Sequence, residues 1–261
     1  MSFSADWLDL RADADRQARN PDMAARLSAR FQGVEGLRIL DLGSGTGANM
    51  RLTSQLLGPK QHWTLVDNDP ALLSTVTGPT GVGFETRQAD LARDLDSLFD
   101  TGVDLVTASA FFDLAGAELI DSIVSATVDT GAAFYTVLTY DGEETWSPAH
   151  AADSVVHQAF LADQQTDKGL GPARGPAATV HLANAFRSHG YVVAQGKSDW
   201  VLSQPEDAAL IAALAQGAAS AVENTVGDVA WDWARSRQTA ESVRIGHLDL
   251  FAHPPEDPTR A

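Results

Sequence analysis

The chain contains no cysteine, so neither a disulfide framework nor a thiolate metal site belongs to it. Basic residues are scarce: 18 lysines and arginines stand against 35 aspartates and glutamates, a formal net charge of −17. A field of that sign repels phosphate backbones and anionic lipid, and no Lys/Arg run offsets it. Nucleic acid and membrane are therefore not expected as partners, whereas a neutral or cationic small molecule is. Long apolar runs are missing as well. No stretch approaches the roughly 20 apolar residues that span a bilayer. The start, Met-Ser-Phe-Ser-Ala-Asp, lacks the basic region and apolar core of an export signal. A cytoplasmic monomer or homodimer is the expectation. What is abundant is apolar material, 44% of 261 residues, enough for one large α/β core.

That core is organised around Arg38-Ile-Leu-Asp-Leu-Gly-Ser-Gly-Thr-Gly-Ala-Asn49. Ile39 to Leu42 reads as a buried strand, and Met50, Leu52, Leu56 and Leu57 mark a following helix. Between them Gly43, Gly45 and Gly47 permit a sharp turn under a ligand. Dinucleotide enzymes carry G-x-G-x-x-G, where a pyrophosphate meets the helix start. Here the spacing is G-x-G-x-G, and Asp41 precedes the first glycine by two residues. A carboxylate there repels a pyrophosphate and suits an ammonium group. A second apolar run, Trp63 to Val66, ends in Asp67, suited to accept both hydroxyls of a ribose. A third ends in Asp90, suited to an adenine amino group. Three strand ends bearing carboxylates describe a ligand with ribose, adenine and a free amine, and no phosphate. Simpler roles exist for the same residues: Asp69 before Pro70 is a helix cap, and Asp67 and Asp90 fit capping or a solvated loop.

Taken together, the motifs resemble those of the class I S-adenosylmethionine-dependent methyltransferases. Asp41-Leu-Gly-Ser-Gly-Thr-Gly47 is similar to their first motif, Leu65-Val-Asp67 to the second, Ala89-Asp90-Leu91 to the third, and Val103 to Ser109 to the fourth strand. The resemblance covers residues 36 to 140. It implies S-adenosylmethionine as cofactor, held by Asp41, Gly43, Ser44, Gly45, Gly47, Asp67, Asn68, Asp90, Leu91 and Ser109. Arg11 or Arg19 would reach the methionine carboxylate, for which the core motifs supply no basic partner. The other reading of Arg11 is an ion pair with Asp15, which shares its helix face.

The expected fold is α/β, a doubly wound, mostly parallel sheet of seven strands. Residues 1–35 form a helical cap and 36–253 the methyltransferase domain, with 254–261 a loose tail. Residues 143–176 read as a polar, irregular insertion on the acceptor side, and residues 206–241 as a helical insertion before the last strand. Ser198 to Ser203 extends or doubles the sixth strand, and His247 and Asp249 read as polar core partners on one strand face.

For the acceptor, Phe111 and Phe112 line the adenine or the methyl path or pack in the core, and Tyr140 ends the fifth strand. Lys168 and Arg174 grip an anionic substrate group or are solvated loop charges. Ser109-Ala-Phe-Phe112 departs from the Asn/Asp-Pro-Pro-Tyr/Phe of methyltransferases acting on adenine or glutamine, so a small-molecule O or N acceptor is expected. A general base is needed only if the acceptor sheds a proton before attack, and Asp113 and His157 are the candidates. No His/Asp/Glu spacing suggests a metal. Two rivals stand beside this reading: an NAD-dependent oxidoreductase, and a non-catalytic module keeping the fold.

Overall fold

The computed structural model describes residues 4–99 and 102–255, so residues 1–3 of the expected cap and 256–261 of the expected tail lie outside the described residues. Two helices lead, α1 (Ala5–Ala18) and α2 (Pro21–Arg30). Pro21 occupies the first turn of α2, and the Asn20 side chain accepts the amides of Asp22 and Met23, so Asn20-Pro21 both ends one helix and starts the next. The first half of the sheet follows: β1 (Leu37–Leu42), α3 (Ala48–Thr53), β2 (Gln61–Asp67), α4 (Pro70–Leu73), β3 (Gly83–Gln88) and α5 (Leu91–Phe99). The second half is β4 (Leu105–Ser109), α6 (Ala117–Thr130), β5 (Ala133–Ser147), α7 (Asp153–Asp163), α8 (Ala178–Ser188), β6 (Val192–Lys197) and β7 (Trp200–Ser203). The chain closes with α9 (Ala208–Val226), α10 (Asp228–Arg237) and β8 (Ser242–His253).

The sheet runs β3-β2-β1-β4-β5-β8-β6, with β7 also paired to β8. Strands β1 to β5 are parallel, and β8 lies antiparallel to its neighbours. It is the expected doubly wound sheet with one strand more, because the sixth breaks at Ser198-Asp199 and its second piece, β7, pairs the far half of β8. Helices on both faces explain why β1 and β4 are almost wholly buried. The strand order reverses between β1 and β4, and ligands of such sheets bind there, outside the carboxyl ends of the strands.

Strand β5 outruns the other parallel strands. Register shifts lie between Thr136 and Thr139 and between Tyr140 and Glu144, and Leu138 takes a φ of +58°. Beyond the shifts, β5, β7 and β8 form a sheet extension roofed by α1, α7, α9 and α10, whose own core includes Trp146, Trp200 and Trp233. Residues 143–176 thus differ from the irregular segment expected: Glu143 to Ser147 continue β5, and 153–163 are helical. Among the described residues, no helix is long and apolar enough to cross a membrane.

Candidate functional site

A cavity of about 230 Å³ opens at the strand-order reversal. Its floor is the glycine loop, its sides the ends of β2, β3 and β4, and its roof Leu8, Arg11 and Asp15 of α1 with Lys168 to Leu170. Gly43, Gly45 and Gly47 take φ values of +61°, +53° and +79°. A Cβ on Gly43 would lie 2.6 Å from the Phe111 ring, so both conformation and close approach require glycine there. The loop is sewn to β2: Ser44 N–H donates to the Val66 carbonyl at 2.9 Å and Gly45 N–H to Asp67 Oδ2 at 2.8 Å.

The cavity gathers Arg11, Gly43, Ser44, Gly45, Asp67, Asn68, Asp90, Leu91 and Ser109. Gly47 sits just outside, at the start of α3. Asp67 Oδ1 also accepts the Asp69 amide at 3.0 Å, and Asp69 caps α4 as expected. Asp90 both lines the cavity and caps its own helix, accepting the Ala92 amide at 3.0 Å. The hydroxyls of Ser44 and Thr46 are buried and, among the described residues, without a hydrogen-bond partner. Of the two arginines, Arg11 is in the wall, forked onto Asp15 at 2.9 and 3.0 Å, so cavity residue and ion pair are one arrangement. Arg19 lies below, donating to Asn49 Oδ1 and Thr53 Oγ1 at 2.8 Å each.

Asp41 requires a correction. It is fully buried under the loop and does not line the cavity. Its Oδ1 accepts Asn49 Nδ2 at 2.7 Å, and Asn49, which does line the cavity, also donates to Thr107 at 3.0 Å. Asp41 therefore reaches a ligand only through Asn49, a residue the motif reading passed over. Burial pushes Asp41 up to about 7, against the Asn49 hydrogen bond and the Arg19 charge. An unfolded chain releases this proton near 3.8, so the folded state alone holds it between there and about 7. Folded stability from this group accordingly falls as pH rises through that window, by about 2–4 kcal/mol. Urea melts of wild type and Asp41→Asn at pH 5 and pH 8 should show the variant gaining on wild type by that order. Parallel stability curves would contradict it.

The acceptor-side residues divide. Lys168 lines the cavity, its Nζ 2.7 Å from Asp163. Phe112 does not: it is fully buried, with ring centroids 5.1 Å from Phe111 and 5.3 Å from Phe134, and belongs to the core. Arg174 is exposed on a different hollow between α6 and α8, beside the His181–Asp121 pair. Its distance from the cavity is a matter of chain path, since 164–176 crosses from α7 to α8. Tyr140 is buried and Asp113 half-buried beside the cavity: enclosure of the Asp113 carboxyl raises it to about 6, against its own backbone amide, the Arg11 charge and a hydrogen bond from the Tyr140 backbone. His157 stands on α7 with Nδ1 3.0 Å from Glu144 Oε1, and that carboxylate raises it above the ordinary imidazole range. Among the described residues, no group of three or more His, Cys, Asp or Glu side chains could hold a metal ion.

No family model matches the sequence, and no curated protein matches it. Solved structures do. The cyclopropane synthase MmaA2 from Mycobacterium tuberculosis superimposes with a TM-score of 0.54 at 14% identity, over 95% of this chain and 94% of that one. The mycolic acid cyclopropane synthase CmaA1, complexed with SAH and CTAB, gives 0.51 at 15% identity, over 94% and 95%. A candidate methyltransferase from Bacillus halodurans gives 0.52 at 12% identity, over 89% and 99%. With this strand order, this glycine loop and these neighbours, the chain has the Rossmann-like fold of the class I S-adenosylmethionine-dependent methyltransferases.

Proposed function

We propose that the protein transfers a methyl group from S-adenosylmethionine to an oxygen or nitrogen nucleophile of a small molecule, without a metal. The observation that carries this reading is one hollow at the strand-order reversal shared by the glycine loop, Asp67, Asp90 and Arg11. The residues fit the cofactor. Each Asp67 oxygen accepts one backbone amide and keeps capacity for ribose hydroxyls. Asp90, flanked by Ala89 and Leu91, suits an adenine edge. The unpartnered hydroxyls of Ser44 and Thr46 and the turned glycine backbone offer polar contacts, and Asn49 links the same floor to Asp41. Arg11, paired with Asp15, and Lys168, paired with Asp163, are the cations that line the hollow and face a carboxylate there. A neighbouring fold with SAH bound, CmaA1, supports the same assignment.

When bound, S-adenosylmethionine supplies a methyl carbon already activated by its sulfonium. The chain's task is then to exclude water and align the acceptor, worth about 7–11 kcal/mol in well-oriented systems. Phe111, Leu114 and Leu170 supply the apolar wall. Asp113 and His157 are the groups on the acceptor side able to take a proton.

Isothermal titration with S-adenosylhomocysteine should give micromolar binding, and NADH should give no heat. Binding of NADH alone would favour the oxidoreductase, and an absence of S-adenosylhomocysteine binding would overturn the proposal.

A further inference from the structure

The sheet face beyond Arg11 carries polar groups for which cofactor binding has no use. Tyr140 of β5 and His247 of β8 are directly opposed across the antiparallel pair, so their side chains share one face. Their ring centroids are 6.2 Å apart, and His247 lies 5.0 Å from Trp200. The Arg11 guanidinium covers the other ring contact, 4.8 Å from the Trp200 centroid. Asp113 joins the group through the Tyr140 backbone and through the charge of Arg11, which acts on Asp113 and His247 alike. The cluster therefore adjoins the cofactor cavity, with Arg11 common to both.

Three atoms here are buried and have no hydrogen-bond partner among the described residues: Asp113 Oδ1, Tyr140 Oη and His247 Nδ1. Tyr140 is 7% exposed and His247 5%. Buried polar atoms left unpaired cost about 1–3 kcal/mol each, a cost that a bound donor would relieve. Asp113 differs from the neighbouring acids in a second way. Asp15 is paired with Arg11 and Glu144 with His157, whereas Asp113 is in no ion pair among the described residues. A carboxylate, a phenol oxygen and an imidazole nitrogen have one property in common: each accepts a hydrogen bond. Their complement is a group with several N–H donors and a positive charge.

Resting on the methyltransferase reading above, we infer that Asp113, Tyr140 and His247 form the acceptor site, and that the acceptor is a small apolar or aromatic amine bound as its ammonium with Asp113 as counter-ion. The Tyr140 ring suits the apolar part and favours a cation beside it, while Trp200 already carries the Arg11 guanidinium. Burial, reinforced by the Arg11 charge, pushes His247 down to about 3, so its ring is neutral and keeps a nitrogen lone pair for an N–H. Asp113, raised to about 6, is an anion at neutral pH yet basic enough to accept a proton. One N–H bond of the ammonium breaks, its proton passes to the Asp113 carboxylate, and the electron pair stays on nitrogen as the nucleophile.

The test uses three compounds of one skeleton: phenethylamine, 2-phenylethanol and phenylacetate. Each is titrated into the full-length protein saturated with S-adenosylhomocysteine, followed by calorimetry and by thermal shift. Phenethylamine should bind about tenfold or more tighter than the other two, the order expected of one charge-assisted contact. That preference should shrink about tenfold in Asp113→Asn, and the affinity should fall in His247→Gln. Equal binding of the three compounds, tighter binding of the alcohol or the acid, or an amine preference that survives Asp113→Asn would overturn the inference. Wild-type protein that binds S-adenosylhomocysteine but shows no amine preference sinks this inference alone. Protein that does not bind S-adenosylhomocysteine sinks the methyltransferase reading as well.

Discussion

Asp67→Ala should weaken S-adenosylhomocysteine binding by about a hundredfold or more, because two contributions are lost at once. The first is direct: hydrogen bonds from ligand hydroxyls to a carboxylate are worth roughly 1.5–3 kcal/mol each. The second is architectural. Asp67 holds the Gly45 amide at 2.8 Å and the Asp69 amide at 3.0 Å, so it fixes the glycine loop and the start of α4 in one register. Alanine leaves both amides without that acceptor and frees a loop that already runs through three left-handed glycines. Asp67→Asn separates the contributions. Asparagine keeps one oxygen for a loop amide but offers a ligand hydroxyl a weaker, uncharged partner, so a loss of about tenfold is expected. Calorimetry reads the affinities, and amide exchange at Gly45 reads the loop. An Asp67→Ala variant binding S-adenosylhomocysteine as tightly as wild type would remove the ribose role from this residue.

The glycine loop and its strands were legible because each is a local pattern: an apolar run, a turn that needs left-handed backbone, then a helix. The fate of Asp41 was not. Its spacing before Gly43 suggests contact with the ligand, but β1 lies between β2 and β4 with both faces covered, so the side chain is enclosed and Asn49 covers it. Helix α7 was hidden for a different reason. It buries only Val156, so its sequence carries no strong apolar stripe and reads as loop. The continuation of β5 was masked by Glu143 and Glu144, although Tyr140, Glu144 and Trp146 all pair inward-facing positions of β8. Phe112 beside Phe111 was ambiguous in principle. The turn at 112–114 gives the cavity side to Phe111 and sends Phe112 into the core. His247 and Asp249 do share a strand face pattern in the sequence, but His247 packs on Tyr140 and Trp200. Asp249 bonds two backbone amides from distant parts of the chain, and no periodicity announces that.

Those two amides make Asp249 the position where a single substitution should cost the fold most. Its Oδ1 accepts the Leu138 amide and its Oδ2 the Asn20 amide, each at 2.8 Å. Leu138 holds a φ of +58° at the β5 register shift, a conformation that costs a leucine roughly 1–2 kcal/mol. Asn20 is the hinge between α1 and α2, so the same carboxylate ties the irregular point of the sheet to the cap that carries Leu8 and Arg11 over the cavity. Removing it in Asp249→Ala leaves two amides unpaired and should destabilise the protein by about 3–5 kcal/mol, lowering the melting midpoint by roughly 10 °C. Asp249→Asn retains one acceptor and sheds a charge that burial penalises, so about half that loss is expected. The cofactor site should register the same change: in Asp249→Ala, binding of S-adenosylhomocysteine weakens although no residue touching the cavity has been altered. Equal melting midpoints for the alanine and asparagine variants would mean that the amide bonds contribute little. Unchanged binding in a destabilised Asp249→Ala would mean that the cap is held over the cavity by its apolar contacts alone.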